Sequence, residues 1–341
     1  PGDETPPAPT DACTATTIEA IDPQGRDVWI RASIDVPAAA IADAPPGLFI
    51  AAKASSEVYL NGVRLGANGT PGASASAETP GRMDAVFPIP DGTLRAGENE
   101  VAIRFSSHHG YLSLRRPVHW VAIAPLVDPV AERLTLMWPS LVALGVILAG
   151  ALYFAVIAAT GANRRDPALL SLLAFFAAGQ LIFEISRSLV AYAYPVHDLR
   201  LIAIVATSAG FGLTLAALVI SRFVAARKLR AFAILSLPMA FTIAFADGYD
   251  AKAGFAVLAA TIVSAAIAAH AAMRGEKQGF LYAAALSAFA VSILLFRGFF
   301  LDAVFFFEVA ALLLVLFAAR AVAQERERRE SALERARGLV E

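Results

Sequence analysis

The chain has almost no sulfur chemistry at its disposal. Cys13 is the one cysteine among 341 residues, so neither an intramolecular disulfide framework nor a cysteine metal cluster can form, and redox chemistry is not expected. Charge is also scarce: Asp, Glu, Lys and Arg make up 17% of the residues and the formal net charge is -1. Phosphate binding calls for a clustered basic face, so nucleic acid is not expected as a partner. The chain opens at Pro1 with no Met and no leading apolar run, which fits a leader already removed or a trimmed start. The residues before Cys13 are Thr10-Asp11-Ala12. They are polar where a bacterial lipobox wants an apolar residue, so an ordinary thiol in a loose arm is expected.

What the chain has in abundance is apolar sequence, and it lies in the second part. A bilayer core about 30 Å thick needs roughly 20 helical residues to cross it. Apolar stretches of that length recur from Ser140 onward, and seven spans are predicted, over 136–160, 169–192, 200–221, 230–246, 252–272, 279–296 and 302–322. The breaks after spans one, three and five carry Arg164, Arg165, Arg222, Arg227, Lys228, Arg230, Arg274 and Lys277; those after spans two, four and six carry only Arg200, Lys252 and Arg297. By the positive-inside rule this asymmetry puts the N-terminal part outside and the residues after Arg320 in the cytoplasm. Trp138, Tyr192 and Tyr194 stand at span ends, where amphipathic rings prefer the interface. The run from Ala256 to Ala272 is dense in small residues, which suits close helix packing in lipid.

Residues 1–15 are expected to be a poorly ordered arm, rich in Pro, Asp and Thr with little to bury. Residues 16–130 read as an all-β domain. Strands are predicted over Asp27 to Val36, Gly47 to Lys53, Glu57 to Leu65, Met83 to Ile89, Glu100 to Ser106 and Val118 to Ala124, at sandwich spacing. Asn61-Gly62, set between two short apolar runs, is a hairpin signal, because a type I′ turn needs positive φ at both central residues.

Binding on such a scaffold belongs on its loops. The candidate ligand cluster is His108, His109, Tyr111, Arg115 and Arg116, whose imidazoles, phenol and guanidiniums could hydrogen-bond hydroxyls or pair with a carboxylate. The competing reading is packing or headgroup contact just before the membrane. No metal site is expected from the His pair, since neighbours on a strand point to opposite faces.

Ionisable groups deep inside spans are functional candidates by default. Here they are Glu184 and Arg187 in span two and Glu308 in span seven. Glu184 and Arg187 stand three apart on one helical face and are expected to form an internal pair, either a structural lock or a signal-sensitive element. His270 lies near the inner end of span five, where a bland interfacial role is expected.

Residues 323–341 keep strong helix formers while turning polar, so span seven should continue as a cytoplasmic helix. Leu333, Ala336 and Val340 fall on a heptad seam, the expected contact in a homodimeric coiled coil. A solvated helix end is the alternative.

Val58-Tyr59-Leu60-Asn61-Gly62-Val63-Arg64-Leu65-Gly66, Val86-Phe87-Pro88-Ile89 and Leu94-Arg95-Ala96-Gly97-Glu98-Asn99-Glu100-Val101-Ala102-Ile103 together resemble the galactose-binding-like jelly roll of carbohydrate-binding modules. In that fold Asn61 and Asn99 are turn residues and not sugar ligands. The whole chain, a β-sandwich followed by an all-α seven-helix bundle and a charged inward helix, resembles the bacterial seven-transmembrane receptors with diverse intracellular signalling modules. That resemblance implies an inner-membrane receptor with a periplasmic sensor for a small polar ligand, carbohydrates included. It also implies a cytoplasmic effector, a histidine kinase or diguanylate cyclase, beyond this chain. No phosphoacceptor His segment, nucleotide-binding Gly-rich loop or cyclase signature occurs here, so no catalytic activity and no cofactor are expected of the chain alone. The alternative class is a transporter or a scaffolding subunit of a membrane complex, although no inverted repeat is evident.

Overall fold

A computed structural model describes residues 6, 13–38, 45–161, 164–297 and 299–314. The chain forms two compact units. One comprises Pro1–Met137 with Ser186–Ile202, the other Trp138–Ile185 with Ala203–Glu341. The first unit thus takes in a stretch of chain well beyond the all-β domain predicted over 16–130.

Seven strands build the first unit: β1 (Asp27–Val36), β2 (Pro46–Ala52), β3 (Ser55–Leu60), β4 (Val63–Asn68), β5 (Asp84–Pro88), β6 (Gly97–Ser106) and β7 (Val118–Pro125). They form two sheets, ordered β1-β6-β3-β4 and β5-β2-β7, with every pair antiparallel. Side chains from both sheets share one apolar core, including Leu48 and Ile50 of β2, Val58 and Leu60 of β3, Phe87 of β5, Ile103 and Phe105 of β6 and Val118 of β7. This is the sandwich-like arrangement that the alternating strands predict.

The hairpin between β3 and β4 turns on Asn61 and Gly62, at φ 51° and 80°, the left-handed region that Asn and Gly tolerate best. The Asn61 amide donates to Asn99 Oδ1 at 2.8 Å and to the Thr93 carbonyl at 2.7 Å, and its Oδ1 accepts the Glu100 N–H at 2.9 Å. Asn99, fully buried, in turn closes the turn before β6 through Arg95 and Gly97. Both asparagines are consumed by turn architecture.

The helices follow: α1 (Pro129–Thr160), α2 (Arg165–Leu189), α3 (Tyr194–Phe223), α4 (Lys228–Leu235), α5 (Leu237–Phe245), α6 (Tyr249–Met273) and α7 (Lys277–Phe296), then a π turn at Phe300–Val304 and α8 (Phe305–Leu314). Among the described residues, with α4 and α5 counted as one span, six are long and apolar enough to cross a membrane. Large apolar side chains such as Leu152, Phe241, Phe245 and Leu295 are exposed on them, a surface suited to lipid and costly in water. The predicted seventh span coincides with α8 up to Leu314, and its remainder, with the Leu333, Ala336 and Val340 seam, lies outside the described residues.

The α4–α5 break at Ser236 has an identifiable cause. Pro238, in the first turn of α5, has no N–H to continue the ladder, and Ser236 Oγ donates back to the Phe232 carbonyl at 2.7 Å. Within the second unit, Phe211, Phe289, Phe300 and Phe305 interlock at centroid distances of 5.0–6.4 Å. Small residues let α6 pack closely: Ala253, Ala256, Ala260, Ser264, Ala268 and Ala271 form its buried face. A Cβ on Gly212 of α3 would come within 2.9 Å of Ala260.

Candidate functional site

The most heavily built polar region of the first unit is where its β-domain holds Ser186–Ile202, the end of α2, the connecting turn and the start of α3. Backbone pairing begins it. Arg82 and Ala193 form an antiparallel bridge, with the Met83 N–H donating to the Tyr192 carbonyl at 3.1 Å and the Tyr194 N–H to the Gly81 carbonyl at 2.8 Å. The turn is thus joined to the segment leading into β5 by an isolated bridge.

Three side-chain anchors flank this bridge. In the first, Glu78 sits beneath Ser55 and Ser106, register partners on β3 and β6. Its Oε2 accepts Ser106 Oγ at 2.8 Å and the His108 N–H at 2.9 Å, and its Oε1 accepts Ser55 Oγ at 3.2 Å and the Tyr194 hydroxyl. Tyr194 is completely buried, and its hydroxyl also accepts the His109 N–H at 2.8 Å.

The second anchor is an ion pair sealed from solvent. Lys53 Nζ lies 2.8 Å from Asp198 Oδ2, both side chains being 0% exposed. The same oxygen accepts the backbone N–H groups of Tyr111 at 2.6 Å and Leu112 at 2.9 Å, and Lys53 also donates to the Leu112 carbonyl. Asp198 Oδ1 is buried with no hydrogen-bond partner among the described residues. A buried pair of this kind is weak evidence for net stability, but removing one partner typically costs about 3–5 kcal/mol.

The third anchor is Arg187, whose Nε and Nη2 donate to the two oxygens of Asp84 at 2.7 and 2.6 Å, a bidentate geometry that fixes orientation as well as charge. This corrects the expected Glu184–Arg187 pair. Arg187 lies in the last turn of α2 and pairs with β5, so its partner comes from 103 positions away. His197 completes the region, nine-tenths buried or more, stacked on Tyr192 and edge-on to His119.

The sequence-predicted ligand cluster is placed here too, in a different role. The His108 ring lies 2.9 Å from the Gly72 carbonyl and the His109 ring 3.0 Å from that of Ala75, so both rings brace the loop that carries Glu78. The backbone of Tyr111 serves Asp198 while its ring is exposed. Arg115 and Arg116 are exposed on the same loop. Among the described residues no group of three or more His, Cys, Asp or Glu could hold a metal.

Glu184 and Glu308 belong to the second unit. Glu184 lines a cavity with Asp250 and Arg297, and Glu308 has one buried carboxylate oxygen without a hydrogen-bond partner among the described residues.

Sequence reasoning missed Lys53, Glu78, Asp84 and Asp198, and placed Tyr194 at a membrane interface. One signal was present for Lys53, a cation closing the apolar run Leu48–Ala52. Chemically the anchors offer no open nucleophile or base. A Cβ on Gly110 would lie 2.6 Å from Lys53 Nζ, an amine sealed from solvent; the bridge and the three anchors together form a joint between Ser186–Ile202 and the strands. No protein-family model matches the chain, and no curated protein matches it in a sequence comparison.

Proposed function

We propose that this chain is the sensing and relay portion of a bacterial transmembrane receptor, with a jelly-roll sensor in the periplasm, seven spans in the inner membrane and a helix that carries the signal to a cytoplasmic effector. The supporting observation is the joint itself. A sensor attached only through α1 would need no more than a linker, whereas here the turn between α2 and α3 is part of the β-domain's own hydrogen-bond lattice. A ligand that favours one arrangement of the sandwich then biases two further helices directly, and it can do so only through its differential affinity for the two states. The small polar ligand, carbohydrates included, is recognised on the sandwich, and two protomers meet along Leu333, Ala336 and Val340.

A transporter or scaffold is the second reading, favoured by the helix break at Ser236 and the π turn at Phe300–Val304, since transporters use broken helices. The test uses the full chain in membranes. Cysteines at Leu333 or Val340 in a Cys13→Ser background should crosslink between chains, with an efficiency that changes when a panel of sugars and small polar metabolites is added. In the Asp84→Asn variant that change should vanish. Crosslinking at both positions no better than at Glu330 would favour the second reading.

A further inference from the structure

In the first unit, β4 and β5 are each the last strand of their sheet, so each presents an outer row of backbone N–H and C=O groups. A cavity of about 910 Å³ lies where these two edges approach, with Leu126, Val127 and Asp128 completing its wall. Arg82 lines it, and its backbone is held from both sides. On one side its N–H donates to Asn68 Oδ1 at 2.7 Å and its carbonyl accepts the Asn68 amide at 2.8 Å. On the other its neighbours Gly81 and Met83 pair with Tyr194 and Tyr192. The side chain is exposed, and its guanidinium has no hydrogen-bond or ion-pair partner among the described residues. A clamped backbone thus presents an unpaired cation to the cavity.

The charges around it select the ligand. The Asp84 carboxylate is taken by Arg187 through both of its oxygens, and Asp128 makes contacts of its own within the chain, so the Arg82 guanidinium is left for an occupant. Its planar fork of donors matches a carboxylate. A phosphate dianion suits it less, since a second negative charge would face the Asp128 carboxylate with one cation to hold it. The backbone groups along the strand edges suit hydroxyls, while Leu126 and Val127, 39% and 41% exposed, offer an apolar surface for C–H groups. The volume lies within the range of small-molecule sites. We propose that this cavity binds a small hydroxylated monocarboxylate, of the sugar-acid class, with its carboxylate on Arg82. The assignment rests on the sensor reading above and narrows its small polar ligand to an anion. Because Arg82 is also the residue bridged to Ala193, the occupant bears directly on the joint.

The full chain in detergent is titrated with D-glucuronate and D-gluconate, and with D-glucose and inorganic phosphate for comparison, by ligand-observed NMR. At least one of the two acids should bind roughly tenfold more tightly than glucose or phosphate, and Arg82→Met should weaken that binding roughly tenfold, as lost charge-assisted hydrogen bonds do. Arg82→Lys keeps the charge without the fork and should recover only part of the affinity. Ala67→Phe keeps every charge. Ala67 lines the cavity and is exposed on β4, where a strand accepts an aromatic readily, and the larger side chain should exclude the acid. Binding of neither acid, glucose or phosphate bound as tightly as the acids, or unchanged acid binding in a folded Arg82→Met or Ala67→Phe protein would overturn the proposal. The crosslinking assay separates this site from the receptor reading. Arg82-dependent acid binding with no change at Leu333 or Val340 supports the site and contradicts the receptor, whereas a crosslinking response to glucose and not to the acids supports the receptor and contradicts the site.

Discussion

Lys53→Met leaves the Asp198 carboxylate buried with two backbone N–H donors and no counter-ion, and it strips the Leu112 carbonyl of its donor. Breaking a buried pair from one side costs about 3–5 kcal/mol. Asp198→Asn alone inverts the fault, stranding a buried ammonium beside a neutral amide, at a cost of similar size. In the double variant Lys53→Met/Asp198→Asn no buried charge remains, and the asparagine oxygen still accepts from Tyr111 and Leu112. The Leu112 carbonyl goes unserved, and so does the asparagine NH2, which takes the place of the unpartnered Oδ1, at about 1–3 kcal/mol each. The two substitutions should therefore couple, the double variant costing less than the sum of the two single ones by about 2–4 kcal/mol. Trp29 in β1 and Trp120 in β7 report unfolding of the β-domain by fluorescence in detergent. At roughly 2–4 °C per kcal/mol, the single variants should lower its transition by on the order of 10 °C. Hydrogen exchange supplies a local reading, since the Tyr111 and Leu112 amides should exchange faster in Lys53→Met and recover part of their protection in the double variant. Additive effects of the two substitutions, or unchanged exchange at those amides, would refute the reasoning.

Two further outcomes follow from the same geometry. Asp84 and Arg187 should couple in a double-mutant cycle by about 1.5–3 kcal/mol, as a charge-assisted bidentate pair does, and a cycle between Glu184 and Arg187 should give a coupling near zero. Gln180 is fully buried in α2, with neither end of its amide hydrogen-bonded among the described residues. Replacing it by methionine of similar shape should raise the thermal stability of the bundle by about 1–3 kcal/mol, and a loss of stability would contradict the unpartnered state.

Local pattern carried the sequence reading far. β1 and the Asn61-Gly62 turn were legible because alternation and positive-φ chemistry are written in adjacent residues, and the apolar spans because a membrane imposes their length. The joint was not legible. Glu78, Asp84 and Lys53 sit at strand ends and in loops, where charge is expected to face water, and their partners Tyr194, Arg187 and Asp198 are more than a hundred positions away. Arg187 and Glu184 formed a plausible helical pair by spacing alone, and only the approach of β5 to the last turn of α2 shows that Arg187 pairs elsewhere. The imidazoles of His108 and His109 looked like ligand groups because their composition is that of a binding loop, whereas each ring is committed to a backbone carbonyl.

The central claim, that the β-domain incorporates the turn between α2 and α3 into its own structure, is tested most directly by a disulfide across the bridge. Opposed residues of an antiparallel pair have Cα atoms roughly 4.5–5.5 Å apart, within the range that a disulfide spans. Arg82→Cys with Ala193→Cys, in a Cys13→Ser background and native membranes, should oxidise rapidly and nearly completely within one chain. The control Asn61→Cys with Ala193→Cys should not. Equal and slow oxidation of the two pairs would contradict the account.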